Sequence, residues 1–210
     1  MKKLVILAAL VVCAGSLYAQ GQLQFNNRVV GEIVAQVYGP ETGNSQTRKS
    51  GNTSAGTPVG TQTYTGALLA GSGFTAELWA STNGAPASSL QAVSAVNGGR
   101  SDFRTGAAAG WWNATVATIP GVIEGGTATV QVRVWDNRGG TITTWAAAQA
   151  NLTIPQGSSD IFTVSGLGGI LTTPPSIQNF RSFNITAVPE PSTIALGVLG
   201  VGALLLRRRK

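Results

Sequence analysis

The chain has no histidine and a single cysteine among its 210 residues, and only 10% of its residues are charged. Without histidine it can build neither a Ser-His-Asp nor a Cys-His nucleophile, and it lacks the ring nitrogens of a His-containing zinc site. Active sites usually concentrate titratable groups, so this composition argues against an enzyme. We therefore expect no catalytic residue, no metal site and no cofactor.

Paired carboxylates are the one catalytic arrangement that this composition leaves open, as in glycoside hydrolases. The acidic residues of interest are Glu77, Asp102, Glu124 and Asp136. Asp102 and Asp136 lie beside turn residues, where carboxylates commonly cap backbone N–H groups. No spacing in the sequence brings two of the four together. A carboxylate-based hydrolase is therefore a second alternative for the function.

The N-terminus has the three regions of a secretory signal peptide. Two lysines precede an apolar stretch over residues 4–15, and Ser16-Leu17-Tyr18-Ala19 follows it. We predict a signal-peptide helix at residues 1–19 that is cut off after Ala19. Cys13 lies inside this peptide, so the exported part has no cysteine and no disulfide.

Most of the net charge of +6 lies at the two ends of the chain. Six of the 14 basic residues are Lys2, Lys3, Arg207, Arg208, Arg209 and Lys210. Between residues 20 and 188, 14 − 6 = 8 basic residues face seven acidic ones, a net charge of +1. The excess of basic residues therefore comes from the two chain ends, where it sets the orientation in a membrane, and we expect no nucleic-acid partner.

The C-terminus combines a short proline-containing motif, an apolar segment and a basic end. The motif is Val188-Pro189-Glu190-Pro191, and the end is Arg207-Arg208-Arg209-Lys210. This order resembles the PEP-CTERM sorting signal of exported bacterial surface proteins, which a membrane-embedded exosortase processes. The resemblance implies that Val188, Pro189, Glu190, Pro191, Arg207, Arg208 and Arg209 act in sorting and processing. It also implies an exosortase-type peptidase as partner and delivery to the cell envelope, cell surface or extracellular matrix.

Physical chemistry supports a membrane segment between the motif and the basic end. Arginines beside an apolar segment hold that end on the cytoplasmic side of a membrane. Residues 194–206 cover roughly 20 Å as a helix, less than the roughly 30 Å hydrocarbon core, but flanking residues can lengthen it. The segment lacks the polar stripe of a buried helix in a soluble protein. We predict a single transmembrane helix over residues 193–206, which contacts the membrane before processing.

The sequence pattern of residues 20–187, the middle of the chain, predicts β-structure. Its clearest segment alternates Val130, Val132 and Val134 with polar or large residues, which is typical of a half-buried strand. Glycine, proline and asparagine turns separate several such segments, and no βαβ pattern occurs. We predict one all-β extracellular domain, a two-sheet antiparallel β-sandwich of jelly-roll or Ig-like type.

Two stretches depart from this pattern. Residues 145–150 are alanine-rich and predict one or two helical turns. Residues 39–73 hold few large apolar side chains, and we predict a flexible loop at residues 41–62, with a short strand around Tyr64.

Tryptophan is the most distinctive residue of the domain. Trp79 and Trp135 fall on the polar phase of their strands, beside Glu77 and Arg133. If those strands pair with Trp79 opposite Arg133, then Glu77 faces Trp135. Exposed aromatic rings on a sheet stack on sugar rings, so Trp79 and Trp135 are candidate glycan-stacking residues for a neutral polysaccharide. The favoured alternative is that both are buried structural residues, as large aromatic side chains mostly are.

Trp112 shares its phase with Ala114 and Val116, and we expect it in the core. The predicted function is that of an exported, non-catalytic surface or exopolysaccharide-matrix protein, with extracellular polysaccharide as a neighbour. The first alternative is a carbohydrate-binding module that uses exposed tryptophans.

Overall fold

The computed structural model describes residues 20–169 and 171–187. The regular secondary structure of this part is mostly β-strand, with one α-helix. The strands are β1 (Gln20–Phe25), β2 (Arg28–Val29), β3 (Ile33–Val34), β4 (Val37–Tyr38), β5 (Phe74–Thr82), β6 (Gln91–Ala92), β7 (Arg100–Asp102), β8 (Thr115–Ile123), β9 (Ala128–Asp136), β10 (Gln156–Ser158), β11 (Phe162–Val164) and β12 (Phe183–Asn184). The helix α1 covers Trp145–Ala150, and short 3-10 turns cover Ala87–Ser89, Ala95–Asn97 and Gly106–Ala108.

The main sheet has six strands and is built around the pair β5 and β9. These two strands pair antiparallel over their full length, from Phe74 opposite Asp136 to Thr82 opposite Ala128. Strands β6 and β7 extend the sheet beyond β5, and β10 and β11 extend it beyond β9. The β-branched and small apolar residues of both central strands suit such a pleated, buried position.

Three two-stranded sheets complete the domain. Strands β1 and β8 pair antiparallel, as do β2 and β3, whereas β4 and β12 pair parallel. The parallel pair departs from the predicted antiparallel pattern. Its strands lie far apart in sequence, so no tight hairpin forces them to run in opposite directions. The all-β prediction is confirmed at the level of class, while the sandwich type stays a prediction.

The main core lies between one face of the six-stranded sheet and the β1–β8 sheet. Val130, Val132 and Val134 are 0% exposed, which confirms the inward face predicted for β9. Core residues on the other strands include Leu23, Phe25, Ala76, Leu78, Ala117 and Ile119. The opposite face of β9 is only partly open, because Gln131 and Arg133 are half-buried and α1 covers Trp135.

Trp112 is buried, as predicted, but the predicted strand phase around it is wrong. Strand β8 begins at Thr115, and its inward residues are Ala117 and Ile119. Val116, expected to share the phase of Trp112, is 51% exposed. The alternation does not continue between Trp112 and β8, because Trp112 belongs to a separate bridge outside the named strands.

The predicted helical turns at residues 145–150 are confirmed as α1. The hydroxyl oxygen of Thr144 accepts a hydrogen bond from the backbone N–H of Ala147 and caps the helix. Trp145 and Ala148 form its buried face. This short helix packs onto β9, the strand just before it in the chain.

Residues 39–73 form a long connection without a helix or strand. The short strand predicted around Tyr64 is absent. The ring of Tyr64 stacks on Tyr38, with centroids 4.1 Å apart. The single O–H of Tyr64 is shared between two acceptors, the backbone oxygens of Gly51 at 2.7 Å and Ser182 at 2.9 Å. These bonds tie the loop to the domain, and the flexibility of residues 41–62 stays a prediction.

A buried ion pair also holds this loop. Glu41 is 6% exposed and accepts a hydrogen bond from Lys49 Nζ at 2.6 Å and another from the Thr65 hydroxyl at 2.9 Å. Burial alone raises the pKa of Glu41, but hydrogen bonds from Lys49 and Thr65 outweigh it, so the pKa lies below the usual 4.5.

No segment of residues 20–169 and 171–187 forms a helix with the length and apolar character needed to span a bilayer. The predicted signal peptide at residues 1–19 and the predicted membrane helix at residues 193–206 lie outside the described residues.

Val132→Asp places an unpaired charge in the main core and should abolish cooperative folding. Thr163→Asp, on an exposed position of β11, is the control and should change the free energy of unfolding by about 0.5 kcal/mol or less. Urea unfolding followed by circular dichroism compares the two variants. Equal sensitivity at the two positions would contradict the assigned faces of the sheet.

Glu41→Gln should destabilise the domain at neutral pH, where the carboxylate is charged. Because the pKa of Glu41 is lower in the folded state, its stabilising contribution is present above pH 4.5 and disappears as the pH falls through the folded pKa. The difference in Tm between wild type and variant should therefore shrink from about pH 6 to about pH 3. Lys49→Met should remove most of this trend, and a pH-independent difference would contradict the assigned ion pair.

Candidate functional site

The face of the main sheet opposite the core carries a row of three charged residues. Glu77 on β5 lies directly opposite Arg100 on β7 and Arg133 on β9. Directly paired residues project to the same face, so the three side chains line up across three strands. We call Arg100, Glu77 and Arg133 the Arg-Glu-Arg row.

The carboxylate of Glu77 is fully engaged within this row. Its side chain is 3% exposed and forms an ion pair with Arg100, whose side chain is 33% exposed. Oε1 accepts hydrogen bonds from Nε and Nη2 of Arg100, and Oε2 accepts one from the indole Nε1 of Trp79 at 2.8 Å. Two donors on different strands thus fix the orientation of Glu77.

Arg133 lies against aromatic rings. Its guanidinium carbon is 3.7 Å from the ring centroid of Trp79 and 5.4 Å from that of Trp145. Such cation–π contacts gain strength when the cation is partly desolvated. Burial lowers the pKa of Arg133, and the negative charge of Glu77 opposes this effect.

Trp135 is 0% exposed, so it cannot offer a stacking surface, and the favoured alternative of a buried structural residue is confirmed for Trp135. Its position opposite Thr75 confirms the polar-phase assignment, but α1 folds back over that end of the face. The Trp135 ring packs edge-on against Trp145 at 6.1 Å, and its Nε1 donates to the backbone oxygen of Ile142 at 2.9 Å. Trp79 remains half-buried, with Arg133 over its ring.

The structure confirms that β5 and β9 pair antiparallel. Their register differs from the one considered in the sequence analysis, in which Trp79 lies opposite Arg133. Glu77, not Trp79, lies opposite Arg133, and Trp79 lies opposite Gln131. The difference is two residues, and a shift of two keeps every side chain on its face while changing its partner. Strand periodicity therefore predicts which face of the sheet each side chain lies on, but it does not predict which residues of β5 and β9 lie opposite each other.

Two of the four carboxylates considered for catalysis are separated by the sheet. Asp102 lies opposite Thr75, and Asp136 lies opposite Phe74. Because neighbouring residues of a strand point to opposite faces, Asp102 and Asp136 lie on opposite sides of the sheet. Asp136 caps the following turn by accepting a hydrogen bond from the backbone N–H of Arg138 at 2.8 Å.

Glu124 also makes a local structural contact, since it accepts hydrogen bonds from the backbone N–H groups of Leu171 and Thr172. Asp102 is the carboxylate diagonal to Glu77 on the same face, but Glu77 is committed to Arg100 and Trp79. Within residues 20–169 and 171–187, no group of three or more acidic or cysteine side chains is placed to hold a metal ion.

Sequence reasoning missed two members of this face, Arg100 and Trp145. Arg100 begins a short alternating segment after two glycines, a weak strand signal that does not reveal its partner. The sequence predicts a helical turn at Trp145, and only the fold shows that this turn covers Trp135. The contacts of both depend on how distant segments meet.

Comparison with known proteins identifies one segment of the chain. A family model described as the PEP-CTERM protein-sorting motif matches residues 187–210. The predicted sorting residues, Val188, Pro189, Glu190, Pro191, Arg207, Arg208 and Arg209, fall within this match and outside the described residues. No curated protein and no solved structure matches the chain.

Trp135→Ala should reduce the free energy of unfolding by about 3–5 kcal/mol, because it leaves a large cavity under α1. Trp135→Phe keeps most of the ring and loses mainly the hydrogen bond to Ile142, so it should cost about 1–2 kcal/mol. Urea unfolding measures both values. An alanine variant as stable as wild type would contradict the buried position of Trp135.

Proposed function

We propose that this chain, which carries a PEP-CTERM protein-sorting motif at residues 187–210, is an exported, non-catalytic protein of the bacterial cell surface or exopolysaccharide matrix. The motif implies sorting and processing by exosortase, a membrane peptidase, and export to the cell envelope or surface. This match is the observation that carries the proposal. The predicted signal peptide and the predicted membrane helix belong to the same proposal.

The end of the described domain supports a division between a folded body and a sorting signal. The hydroxyl of Ser45 donates to the backbone oxygen of Ala187 at 2.7 Å, and the N–H of Ala187 donates to the backbone oxygen of Ser45 at 2.9 Å. Thr186 exchanges backbone hydrogen bonds with Gln156. Backbone bonding thus reaches the first residue of the motif, so processing beyond Ala187 would leave these contacts in place.

The non-catalytic part of the proposal has its support in the chemistry of the polar side chains. The chain contains no histidine, and Glu77 is enclosed by Arg100 and Trp79. Glu124 and Asp136 are bound to backbone N–H groups. A structural or matrix role requires a stable, exported β-domain and no activated group.

Carbohydrate binding is the second candidate function, and the half-buried Trp79 favours it. The ring is held in place by its hydrogen bond to Glu77 and by Arg133. A ring fixed in this way loses little conformational entropy when it contacts a ligand. Trp135 no longer contributes to this candidate, because it is buried.

Replacing Pro189, Glu190 and Pro191 together by alanine in the full chain should block processing. We expect a larger precursor in the membrane fraction of an exosortase-containing bacterium, where wild type yields a shorter surface or extracellular form. Fractionation, immunoblotting and intact-mass measurement distinguish the two. Gln46→Ala, in an exposed loop, is the control and should be processed like wild type. Recovery of wild-type residues 1–210 as a soluble cytoplasmic protein in that host would contradict the proposal.

A further inference from the structure

The last residues of the domain run toward one end of the main sheet. Gln156 lies opposite Trp135 and exchanges backbone hydrogen bonds with Thr186. Both of these pairings are antiparallel, so the residues that lead to Ala187 run in the same direction as β9, toward Asp136. We call this end of the sheet, where β9 ends at Asp136 and the chain reaches Ala187, the exit end.

The exit end carries an exposed leucine. Leu152 is 66% exposed and lies two residues after the end of α1. The side-chain amide of Gln156 donates to the backbone oxygen of Ala148 at 2.9 Å, which holds α1 beside the pair formed by Gln156 and Thr186. An apolar side chain therefore faces solvent close to the point where the chain leaves the domain.

The opposite end of the sheet carries a matching leucine, Leu171, which is 88% exposed. Its backbone N–H donates to Oε1 of Glu124 at 2.9 Å, in the turn that joins β8 to β9. Gln20 pairs with Ile123 just before this turn, so the predicted signal-peptide cut also lies at this end. The nine residues of β9 separate the two ends by roughly 27 Å.

The connection between the domain and the predicted membrane helix is short. Only residues 188–192 lie between Ala187 and the helix predicted at residues 193–206. Even fully extended, these five residues reach at most roughly 18 Å. Hydrogen bonds between Ala187 and Ser45 fix the start of this connection to the folded domain.

Crossing the membrane uses much of that reach. The predicted helix covers roughly 21 Å of a hydrocarbon core of roughly 30 Å, and its basic end is held at the cytoplasmic side. The remaining roughly 9 Å of hydrocarbon and about 6 Å of headgroups leave Ala187 about 3 Å above the membrane. If the bilayer thins to match the helix, the distance is still at most about 12 Å. In both cases the exit end is held against the outer leaflet.

We propose that, before processing, the exit end of the domain rests on the lipid headgroups, with Leu152 directed into them and Leu171 directed away. The short connection holds the domain there, because one leucine offers too little apolar area for stable membrane binding. Processing would then release the domain from the lipid surface. This inference rests on the proposed function, which includes the membrane helix and the removal of the C-terminal segment.

The test uses the full chain from a host without exosortase, so that the C-terminal segment is retained. The single cysteine, Cys13, lies in the predicted signal peptide, so Leu152→Cys and Leu171→Cys each supply one thiol for a bimane fluorophore. The vesicles contain phosphatidylcholine, phosphatidylglycerol and a lipid with a nitroxide quencher on its headgroup. The label at position 152 should be quenched about three-fold more strongly than the label at position 171, because roughly 27 Å separates the two ends.

Two further forms of the protein separate the short connection from an affinity of the domain for lipid. An insertion of about ten glycine and serine residues after Ala187 adds a flexible connection of roughly 17 Å, and quenching at position 152 should fall to about half. The processed protein, added to the same vesicles, should show equal quenching at both positions. Both leucines are exposed, so the unlabelled variants should unfold at the Tm of wild type.

Equal quenching at the two positions of the full chain, or quenching at position 152 that survives the insertion unchanged, would overturn the inference. Quenching that depends on the protein-to-lipid ratio would assign the exit end to a second copy of the chain and would overturn it as well. Extraction with alkaline carbonate tests the proposed function separately. A full chain that carbonate releases from the membrane has no membrane helix, whereas a retained chain with equal quenching contradicts the docked surface alone.

Discussion

The pairing of β5 with β9 is the interaction on which the rest of the domain depends. The two strands are hydrogen-bonded over nine residues each, and every other strand of the main sheet attaches to one of them. Since side chains alternate between faces, a single register places Leu78 and Val132 in the core and Glu77 and Arg133 on the opposite face. The same register therefore determines both the stability of the domain and the chemistry of its second face.

The second face shows how a buried charge is accommodated in a domain with few charged residues. Glu77 can be buried because Arg100 and the indole N–H of Trp79 satisfy both of its oxygens. That arrangement leaves Arg133 to be stabilised by aromatic rings and by the more distant charge of Glu77. Helix α1 seals one end of the face and converts Trp135 from a surface residue into a core residue.

The sorting motif and the described domain have separate roles in this chain. The match at residues 187–210 concerns where the protein goes, while the described domain has no match among curated proteins or solved structures. The hydrogen bonds between Ser45 and Ala187 mark the point where the two parts meet. Export can thus be assigned from a short linear signal, whereas the role of the domain has to be inferred from its surface chemistry.

Sequence alone determined the features that depend on local order: the sorting motif, the β class, the inward face of β9 and the helical turns of α1. It did so because side-chain periodicity and motif spacing are properties of neighbouring residues. Only the tertiary structure decided that Glu77 pairs with Arg100, that Trp135 lies under α1 and that Tyr64 stacks on Tyr38. These outcomes depend on strand register and on the meeting of distant segments, and a shift of two residues changes every partner while leaving the local pattern the same.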